Sequence, residues 1–129
     1  MKTPDNFTTL FPYFFVDDAP GFCRFLVEGL GAEELGRTTD GDRITNARLR
    51  IDDTSVMVSE AVPAFPAMAA SYYIFVEDAD AGQARAIAAG ASEIMPVADQ
   101  DYGDRQGGVQ DAWGNYWWIS QRIESGGYD

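Results

Sequence analysis

The aromatic residues between positions 102 and 120 are the part of this sequence best suited to binding chemistry. The segment reads YGDRQGGVQDAWGNYWWIS. We predict two strands around a tight loop, so that alternation places Tyr116 and Trp118 on one face and Trp117 on the other, in the core. Trp113, at the loop tip, would form either a pocket rim or a dimer contact. Phenol and indole rings offer flat surfaces to a planar guest, so the segment predicts a binding surface.

Groups that could act as an acid, a base, a nucleophile or a metal ligand are few. The chain has no histidine, the commonest general base and metal ligand. The single cysteine, Cys23, has no basic partner in sequence, so we predict a buried structural thiol. A metal-free acid–base route would need two of Glu60, Asp101 and Asp111 to share a proton, which their spacing does not show. Gly107-Gly108 lacks phosphate-loop spacing and predicts a turn or bulge.

Polar and flexible side chains could complete a binding surface. Asn46, Arg48 and Arg50 would share one face of a strand. Either that face is solvated, or Arg48 or Arg50 lies at the mouth of a cavity and bonds a ligand oxygen. Arg105 and Asp104 predict an ion pair that stabilises a turn. Three further candidates for the wall or rim of a pocket are Met57, Phe65 and Tyr102.

Length, composition and charge limit the class of protein. The 129 residues, 46% of them apolar, suit one domain, residues 1–129, with a real hydrophobic core. The formal charge of −12 disfavours nucleic acid and anionic membranes and permits a cationic ligand. The first residues hold no apolar run long enough for a signal or membrane helix. We therefore expect a cytoplasmic protein with neither nucleic acid nor membrane as a partner.

The elements that would hold these side chains occur twice. VDDA at position 16 recurs as VEDA at position 76, and GAEEL at 31 recurs as GASEI at 90. Two further matches in the same order indicate a duplicated βαβββ unit, over 8–60 and 71–121, with a Pro- and Ala-rich linker at 61–70. The predicted strands are 8–16, 33–38, 44–51, 55–59, 72–76, 92–97 and the two in 102–120, and the helices run from Asp17 or Asp18 to Leu30 and from Asp78 or Asp80 to about Gly90.

One helix for four strands in each unit predicts how the units pack. The helix would cover the outer face of its sheet, and the inner faces would curve around a shared hollow. The predicted fold class is therefore α+β, with two tandem βαβββ modules forming curved mixed sheets around a cavity. The inner faces would carry Phe11, Tyr13 and Phe15 from the first unit and Ser71, Tyr73 and Phe75 from the second.

These motifs make the chain resemble the glyoxalase/bleomycin-resistance/dioxygenase superfamily, also called vicinal oxygen chelate proteins, from about Thr8 to Gln121. The resemblance rests on YFFVDD at 13, GAEEL at 31, NARLRIDD at 46, YGDR at 102 and VQDAWGNYWWI at 109. It implies paired modules assembled as a homodimer. Family enzymes hold a divalent metal through histidine and glutamate, and the matched positions here carry Phe11, Ser71 and Trp118, with a fourth position within 46–49.

Phenylalanine, serine and tryptophan are poor ligands for such a metal, which prefers imidazole or carboxylate. The chain is therefore similar to metal-free members such as bleomycin-resistance proteins, which hold a drug in aromatic grooves. This resemblance implies a homodimer without a cofactor that sequesters an aromatic small molecule such as an antibiotic, without chemistry. The alternatives are a metal-independent or glyoxalase/dioxygenase-like enzyme of the same superfamily and an interaction domain with a filled core.

Overall fold

The two βαβββ units are both present in a computed structural model that describes residues 1–129. The chain divides into compact units at 1–68 and 69–129. The first contains β1 (Tyr13–Val16), α1 (Ala19–Leu30), β2 (Glu33–Asp40), β3 (Arg43–Ile51) and β4 (Thr54–Glu60). The second contains β5 (Ser71–Phe75), α2 (Ala79–Ala88), β6 (Ser92–Asp99), β7 (Asp104–Gln110) and β8 (Tyr116–Arg122). The prediction of an α+β fold with tandem modules is confirmed.

Each unit forms one mixed four-stranded sheet with the same topology. The strand orders are β1-β4-β3-β2 and β5-β8-β7-β6. In both sheets the first strand pairs in parallel with the last, and the remaining pairs are antiparallel. Tyr13 lies opposite Met57 in the first sheet, and Tyr73 lies opposite Trp118 in the second. Met57 and Trp118 therefore occupy equivalent positions in the two sheets.

An aspartate caps each helix, as the sequence predicts. The Asp18 side chain accepts a hydrogen bond from the Gly21 backbone N–H at 3.1 Å, and Asp78 accepts one from Ala81 at 3.1 Å. These bonds satisfy backbone donors that have no partner within the helix. Gly31, with φ 76°, ends α1 in the left-handed conformation that glycine adopts without strain.

The helix of each unit covers one face of its sheet, and the core of the unit lies between that helix and that sheet. In the first unit the strands contribute Phe14, Leu49 and Val58 to this layer, against Phe22 of α1, and all four are buried. In the second unit Trp117 is buried, as predicted, and its ring stacks on Tyr72 with centroids 4.8 Å apart. The period-two alternation of strands leaves the opposite face of each sheet without a covering helix. Neither helix has the length and hydropathy needed to span a membrane.

Several boundaries and contacts differ from the predictions. The first strand starts at Tyr13 instead of Thr8, because Pro12 has no backbone N–H with which to extend the pairing. Leu10 precedes the strand and is 86% exposed. Phe11, predicted for the inner face of the sheet, also precedes the strand, with its ring 5.4 Å from that of Phe7. The pair Gly107-Gly108 lies within β7, not in a turn, at a place where the pairing with β6 shifts register, as the alternative prediction of a bulge allows.

Candidate functional site

The helix-free face of the first sheet carries Tyr13 and Phe15, two of the three aromatic residues predicted for it. Tyr13 and Phe15 stack with ring centroids 4.7 Å apart, and Phe65 stacks on Phe15 at 5.8 Å. Tyr13 and Phe65 are both exposed, while Phe15 is half-buried. Three rings therefore form a row on this face. Two of them belong to β1, and the third, Phe65, belongs to the segment that follows β4. This row offers a flat apolar surface within one unit.

A polar network adjoins this row of rings. The Tyr13 hydroxyl lies 2.7 Å from Ser59 Oγ, and Asn46 Nδ2 donates to the Tyr13 hydroxyl at 3.3 Å. Asn46 also accepts from Arg48 through Oδ1, at 3.1 Å. Asn46 Nδ2 also lies 3.6 Å from Met57 Sδ. Met57 is half-buried and lies on the same face. Tyr13, Asn46, Arg48 and Met57 are therefore brought together on this face.

Arg50 has a structural task instead. Its Nε donates to the Asp52 carbonyl at 3.1 Å, and its Nη1 donates to Asn6 Oδ1 at 3.3 Å. The side chain therefore ties the β3–β4 turn to the segment that precedes β1. It shares a strand face with Asn46 and Arg48, as predicted, but it is not hydrogen-bonded to their network.

The helix-free face of the second sheet is richer in exposed rings. Tyr73, Phe75 and Tyr116 are 47%, 53% and 42% exposed, and Trp118 is half-buried among them. The Tyr73 and Phe75 rings lie 5.3 Å apart, and the Tyr116 ring meets Trp118 edge-on at 6.2 Å. Trp118 Nε1 donates to Ser71 Oγ at 2.8 Å, so the hydroxyl orients the indole. Five of the predicted site residues therefore lie on one surface.

A buried carboxylate, which sequence reasoning missed, lies beside that surface. Asp104 has no exposed surface and accepts hydrogen bonds from the hydroxyls of Tyr73 and, at 2.7 Å, Tyr128. Arg122 Nη1 donates to its other oxygen at 3.0 Å. Burial alone would raise the pKa of Asp104, but the three donors outweigh burial and hold that pKa below its usual value. The donors come from β5, β8 and the last residues of the chain, so no local pattern could have revealed the cluster.

Two further polar residues near this cluster, Gln106 and Ser120, are buried. Gln106 Oε1 accepts from the Tyr102 hydroxyl, and Gln106 Nε2 donates to Ser120 Oγ at 2.7 Å. Burial raises the pKa of Tyr102, as do the nearby Tyr73 and Asp104. Tyr102, a predicted rim residue, is 39% exposed, so its ring is open to solvent while its hydroxyl is engaged.

The predicted ion pair between Asp104 and Arg105 is wrong. Consecutive strand residues point to opposite faces, so the two side chains cannot meet on β7. Arg105 instead binds Asp80 of α2, with its Nε 2.7 Å from Oδ2, and Asp99 of β6 at 3.0 Å. These two carboxylates raise the pKa of Arg105 above its usual value. The ion pair between Arg105 and Asp80 thus connects α2 to β7 on the helix-covered face of the second sheet.

The acids considered for an acid–base route have other roles. Glu60 accepts from the backbone N–H groups of Asp18 and Ala19 at 2.9 and 2.8 Å, at the start of α1. Asp111 is buried and accepts from Trp117 Nε1 at 2.8 Å as well as from the backbone of its own loop. Asp101 lies exposed in the turn between β6 and β7. Glu60 and Asp111 therefore organise a helix end and a loop.

Hydrogen bonds to Asp111 and Asn115 hold the Asp-Ala-Trp-Gly-Asn loop. Asp111 Oδ1 accepts from the backbone N–H groups of Trp113 and Asn115, at 2.9 and 3.0 Å. Asn115 is fully buried, and its Oδ1 accepts from the Ala70 N–H at 3.0 Å. The Trp113 ring is half-buried at the loop tip, the position predicted for it.

The residues present do not fit the metal that the family implies. Trp118 lies at one matched position, and its indole N–H can donate a hydrogen bond but has no lone pair available for a cation. That N–H donates to Ser71, which lies at a second matched position. Phe11, at the third, has no donor atom at all. No three aspartate, glutamate or cysteine side chains lie close enough together to hold an ion. The donor set therefore does not suit a divalent metal.

An open surface depression of about 290 Å³ lies on the helix side of the first unit. Glu34 and Arg37 form a two-point ion pair on its wall, with bonds of 2.6 and 2.8 Å. Cys23 lies at its base, 1% exposed, and burial followed by the charge of Glu34 raises the pKa of its thiol to about 11. This confirms the prediction that the cysteine is buried, and the raised pKa disfavours the thiolate form. The other lining residues are Pro20, Arg24, Val27 and Glu28.

Comparison with known proteins gives concordant matches. Residues 7–119 match the model of the Glyoxalase/Bleomycin resistance protein/Dioxygenase superfamily. An uncharacterized protein of Mycobacterium bovis is 33% identical over 126 residues, covering 88% of this chain and 83% of that protein. Among solved structures, TioX from Micromonospora sp. ML1 is similar with a TM-score of 0.75 and 24% identity, over 90% of this chain and 100% of TioX.

A second solved structure, TnmS3 of Streptomyces sp. CB03234, is described as an antibiotic binding protein. It is similar with a TM-score of 0.71 and 21% identity, over 89% of this chain and 96% of that one. At these identities the structural likeness concerns the fold, whereas the family model spans most of the sequence. The chain belongs to the glyoxalase/bleomycin resistance protein/dioxygenase superfamily.

Proposed function

We propose that this protein binds an aromatic small molecule of antibiotic type on the helix-free faces of its sheets and sequesters it without chemical change. The observation that carries the proposal is the exposed aromatic surface of the second sheet, formed by Tyr73, Phe75, Tyr116 and Trp118. Clustered exposed rings are unusual on a protein surface and mark a site where something binds. The Ser71–Trp118 hydrogen bond holds the indole in one orientation, which favours stacking of a planar guest.

The chemistry of the same surface favours binding over turnover. Three positions that match family metal ligands carry Phe11, Ser71 and Trp118, which are poor ligands for a divalent metal. Glu60 and Asp111 are engaged by backbone and indole N–H groups. The likeness of the fold to TnmS3, described as an antibiotic binding protein, supports the proposal by analogy. We take the functional form to be a homodimer, in which a second copy would cover these faces, with no nucleic acid or membrane as a partner.

Tryptophan fluorescence tests this proposal directly. All three tryptophans lie in the second unit, so a guest on its aromatic face changes their emission. We expect naphthamide, a neutral planar probe, to quench the wild-type protein in a saturable way. Trp118→Ala should weaken that binding about tenfold, since stacking on one large ring contributes on the order of 1–1.5 kcal/mol.

The matched control is Ile87→Ala, because Ile87 is an exposed apolar side chain on α2, away from the aromatic face. It should bind naphthamide with wild-type affinity, measured by calorimetry to remove any optical effect of the substitution. Equal affinity of wild type and Trp118→Ala would contradict the proposed surface. Absence of saturable binding to the wild type by naphthamide, naphthoate and bleomycin would contradict the proposed function.

A further inference from the structure

We infer that the helix-free face of the first sheet binds the carboxylate of an aromatic acid through the Nε–Nη2 edge of Arg48. This inference rests on the proposed function and names the class of ligand. It departs from the overall charge of −12, which alone would favour a cationic guest. The local arrangement of one guanidinium and its neighbours carries it.

Arg48 is held in place by neutral acceptors on one side only. Its Nη1 donates to the Asn46 carbonyl at 3.1 Å, to Asn46 Oδ1 at 3.1 Å and to Thr38 Oγ1 at 3.2 Å. No hydrogen bond within the chain involves its Nε or Nη2, and no carboxylate forms an ion pair with it. The side chain is half-buried. Arg48 is thus a fixed cation whose other edge has donors but no acceptor from the chain.

The same edge binds a carboxylate at two points in two other arginines of this protein. Arg37 donates to Glu34 through Nε at 2.8 Å and through Nη2 at 2.6 Å. Arg105 binds Asp80 in the same manner, through Nε at 2.7 Å and Nη2 at 3.1 Å. Two parallel N–H groups match the two oxygens of a planar carboxylate, which gives a strong and directional pair. Although 21 acidic residues are present, none lies at the edge of Arg48.

The glycine opposite Arg48 leaves space beside the Nη2 end of this edge. Gly36 of β2 pairs with Arg48, and a Cβ atom at Gly36 would lie 3.0 Å from Nη2. A side chain at this position would therefore press on the guanidinium.

The aromatic part of the ligand is indicated by the residues in the same row. Tyr13, Met57 and Arg48 are cross-strand neighbours on β1, β4 and β3. Two strand spacings separate Tyr13 from Arg48, which is roughly 10 Å between their Cα atoms. A ring placed over the adaptable Met57 side chain would contact Tyr13 and direct a carboxylate at Arg48. The surface therefore suits a flat ring with an attached carboxylate or a similar planar oxyanion.

The test compares naphthoate with naphthamide, which have the same shape but differ in charge. Calorimetric titration of the wild type should give an affinity for naphthoate about tenfold higher or more. Methyl NMR of labelled methionine should show a shift of the Met57 resonance, one of four methionines, when naphthoate is added. Arg48→Gln should bring the two affinities together, and Arg48→Lys, which keeps the charge but loses the two-point edge, should fall between.

Arg43→Gln is the matched control. Arg43 lies on the same strand with its nearest carboxylate, Asp40, at 3.8 Å, so its replacement changes the net charge equally without touching the proposed site. It should keep the preference for naphthoate. Should Arg48→Gln fail to fold, Gly36→Ala provides the same test, since it crowds Nη2 and should reduce the preference without removing a charge.

Equal wild-type affinities for naphthoate and naphthamide would overturn the inference and leave the proposed function intact. An undiminished preference in Arg48→Gln, or an equal loss in Arg43→Gln, would also overturn it. Failure of the wild type to bind either probe would overturn the inference together with its premise. The Trp118→Ala experiment reports on the second sheet alone, so the two failures are distinguishable.

Discussion

The indole of Trp118 lies against the backbone of Gly108, its partner on the neighbouring strand. A Cβ atom at Gly108 would lie 2.7 Å from Cζ3 of the Trp118 ring, closer than two carbon atoms can approach. The adjacent Gly107 has the same relation to Gln83 on the opposite face of β7. The Gly-Gly pair therefore makes room for one large side chain on each side of the strand, which explains two glycines in the middle of a sheet.

The first prediction concerns Gly108→Ala. The added methyl group should displace the Trp118 ring and break its hydrogen bond to Ser71, because the ring is packed against the backbone. We expect naphthamide affinity to fall about tenfold and the free energy of unfolding to fall by about 1–3 kcal/mol. Fluorescence titration and urea denaturation measure the two effects.

Gly127→Ala is the control for that substitution, since nothing lies within 4 Å of a Cβ atom at Gly127. Both quantities should stay at their wild-type values. Unchanged emission, affinity and stability of Gly108→Ala would mean that the indole is free to move and that Gly108 does not define its place.

The second prediction concerns acid stability and Asp104. The pKa of this carboxyl is held below its usual value in the folded state, so its ionised form stabilises the fold. That contribution is fully present above the unfolded pKa, near 3.8, and is lost as the pH falls through the lower folded pKa. Urea denaturation at several pH values below about 4 should therefore show a steeper loss of stability in wild type than in Asp104→Asn.

Tyr128→Phe gives an independent check. It removes one donor, so the pKa of Asp104 should rise toward its usual value and the acid-sensitive interval should move to higher pH. Carboxyl carbon NMR follows this titration directly. A pKa of Asp104 at or above its usual value in the folded wild type would contradict the described cluster.

The third prediction concerns two equivalent side chains, Glu60 and Gln121. Glu60 accepts from two N–H groups at the start of α1, and Gln121 Oε1 accepts from the Ala79 N–H at 3.0 Å at the start of α2. Since glutamine performs this role in the second unit, Glu60→Gln should cost less than about 1 kcal/mol, whereas Glu60→Ala should cost about 1–2 kcal/mol. Thermal denaturation measures both. A larger loss in Glu60→Gln than in Glu60→Ala would contradict a role as acceptor.

The sequence was sufficient to predict the fold because the fold depends on repeated local signals. VDDA and VEDA encode a strand end and a helix cap, and the caps are Asp18 and Asp78, as the pattern allows. Strand alternation also places Trp117 and Trp118 on opposite faces correctly, since it depends only on the period of the strand. These features require no knowledge of distant contacts.

The polar parts of the surface could not be predicted in the same way. Asp104 accepts hydrogen bonds from Tyr73, Arg122 and Tyr128. These donors are separated from Asp104 by 18 to 31 residues in the chain. Such contacts depend on strand register and on the course of the last residues, neither of which periodicity determines. The hydrogen bonds of Arg48 likewise depend on tertiary structure. Thr38 and Asn46 accept from its Nη1, and the sequence does not show that these acceptors engage Nη1 and not Nε or Nη2.

The fourth prediction concerns Asp111, the acid at the start of the loop between β7 and β8. Four donor groups converge on its two oxygens, from the backbones of Trp113 and Asn115, the Asn115 amide and the Trp117 indole. Asp111→Asn would place an amide NH₂ against some of these donors in a buried site. We expect a loss of about 2–4 kcal/mol in the free energy of unfolding and altered Trp117 emission.

Asp101→Asn is the matched control for this substitution, because Asp101 is exposed in a turn and loses the same charge. Its stability in urea should lie within about 0.5 kcal/mol of wild type. If Asp111→Asn were equally mild, the loop would be held by its backbone geometry alone. The expected difference between the two variants would instead mean that the aspartate fixes the strand that carries Trp118, and with it the aromatic surface of the second sheet.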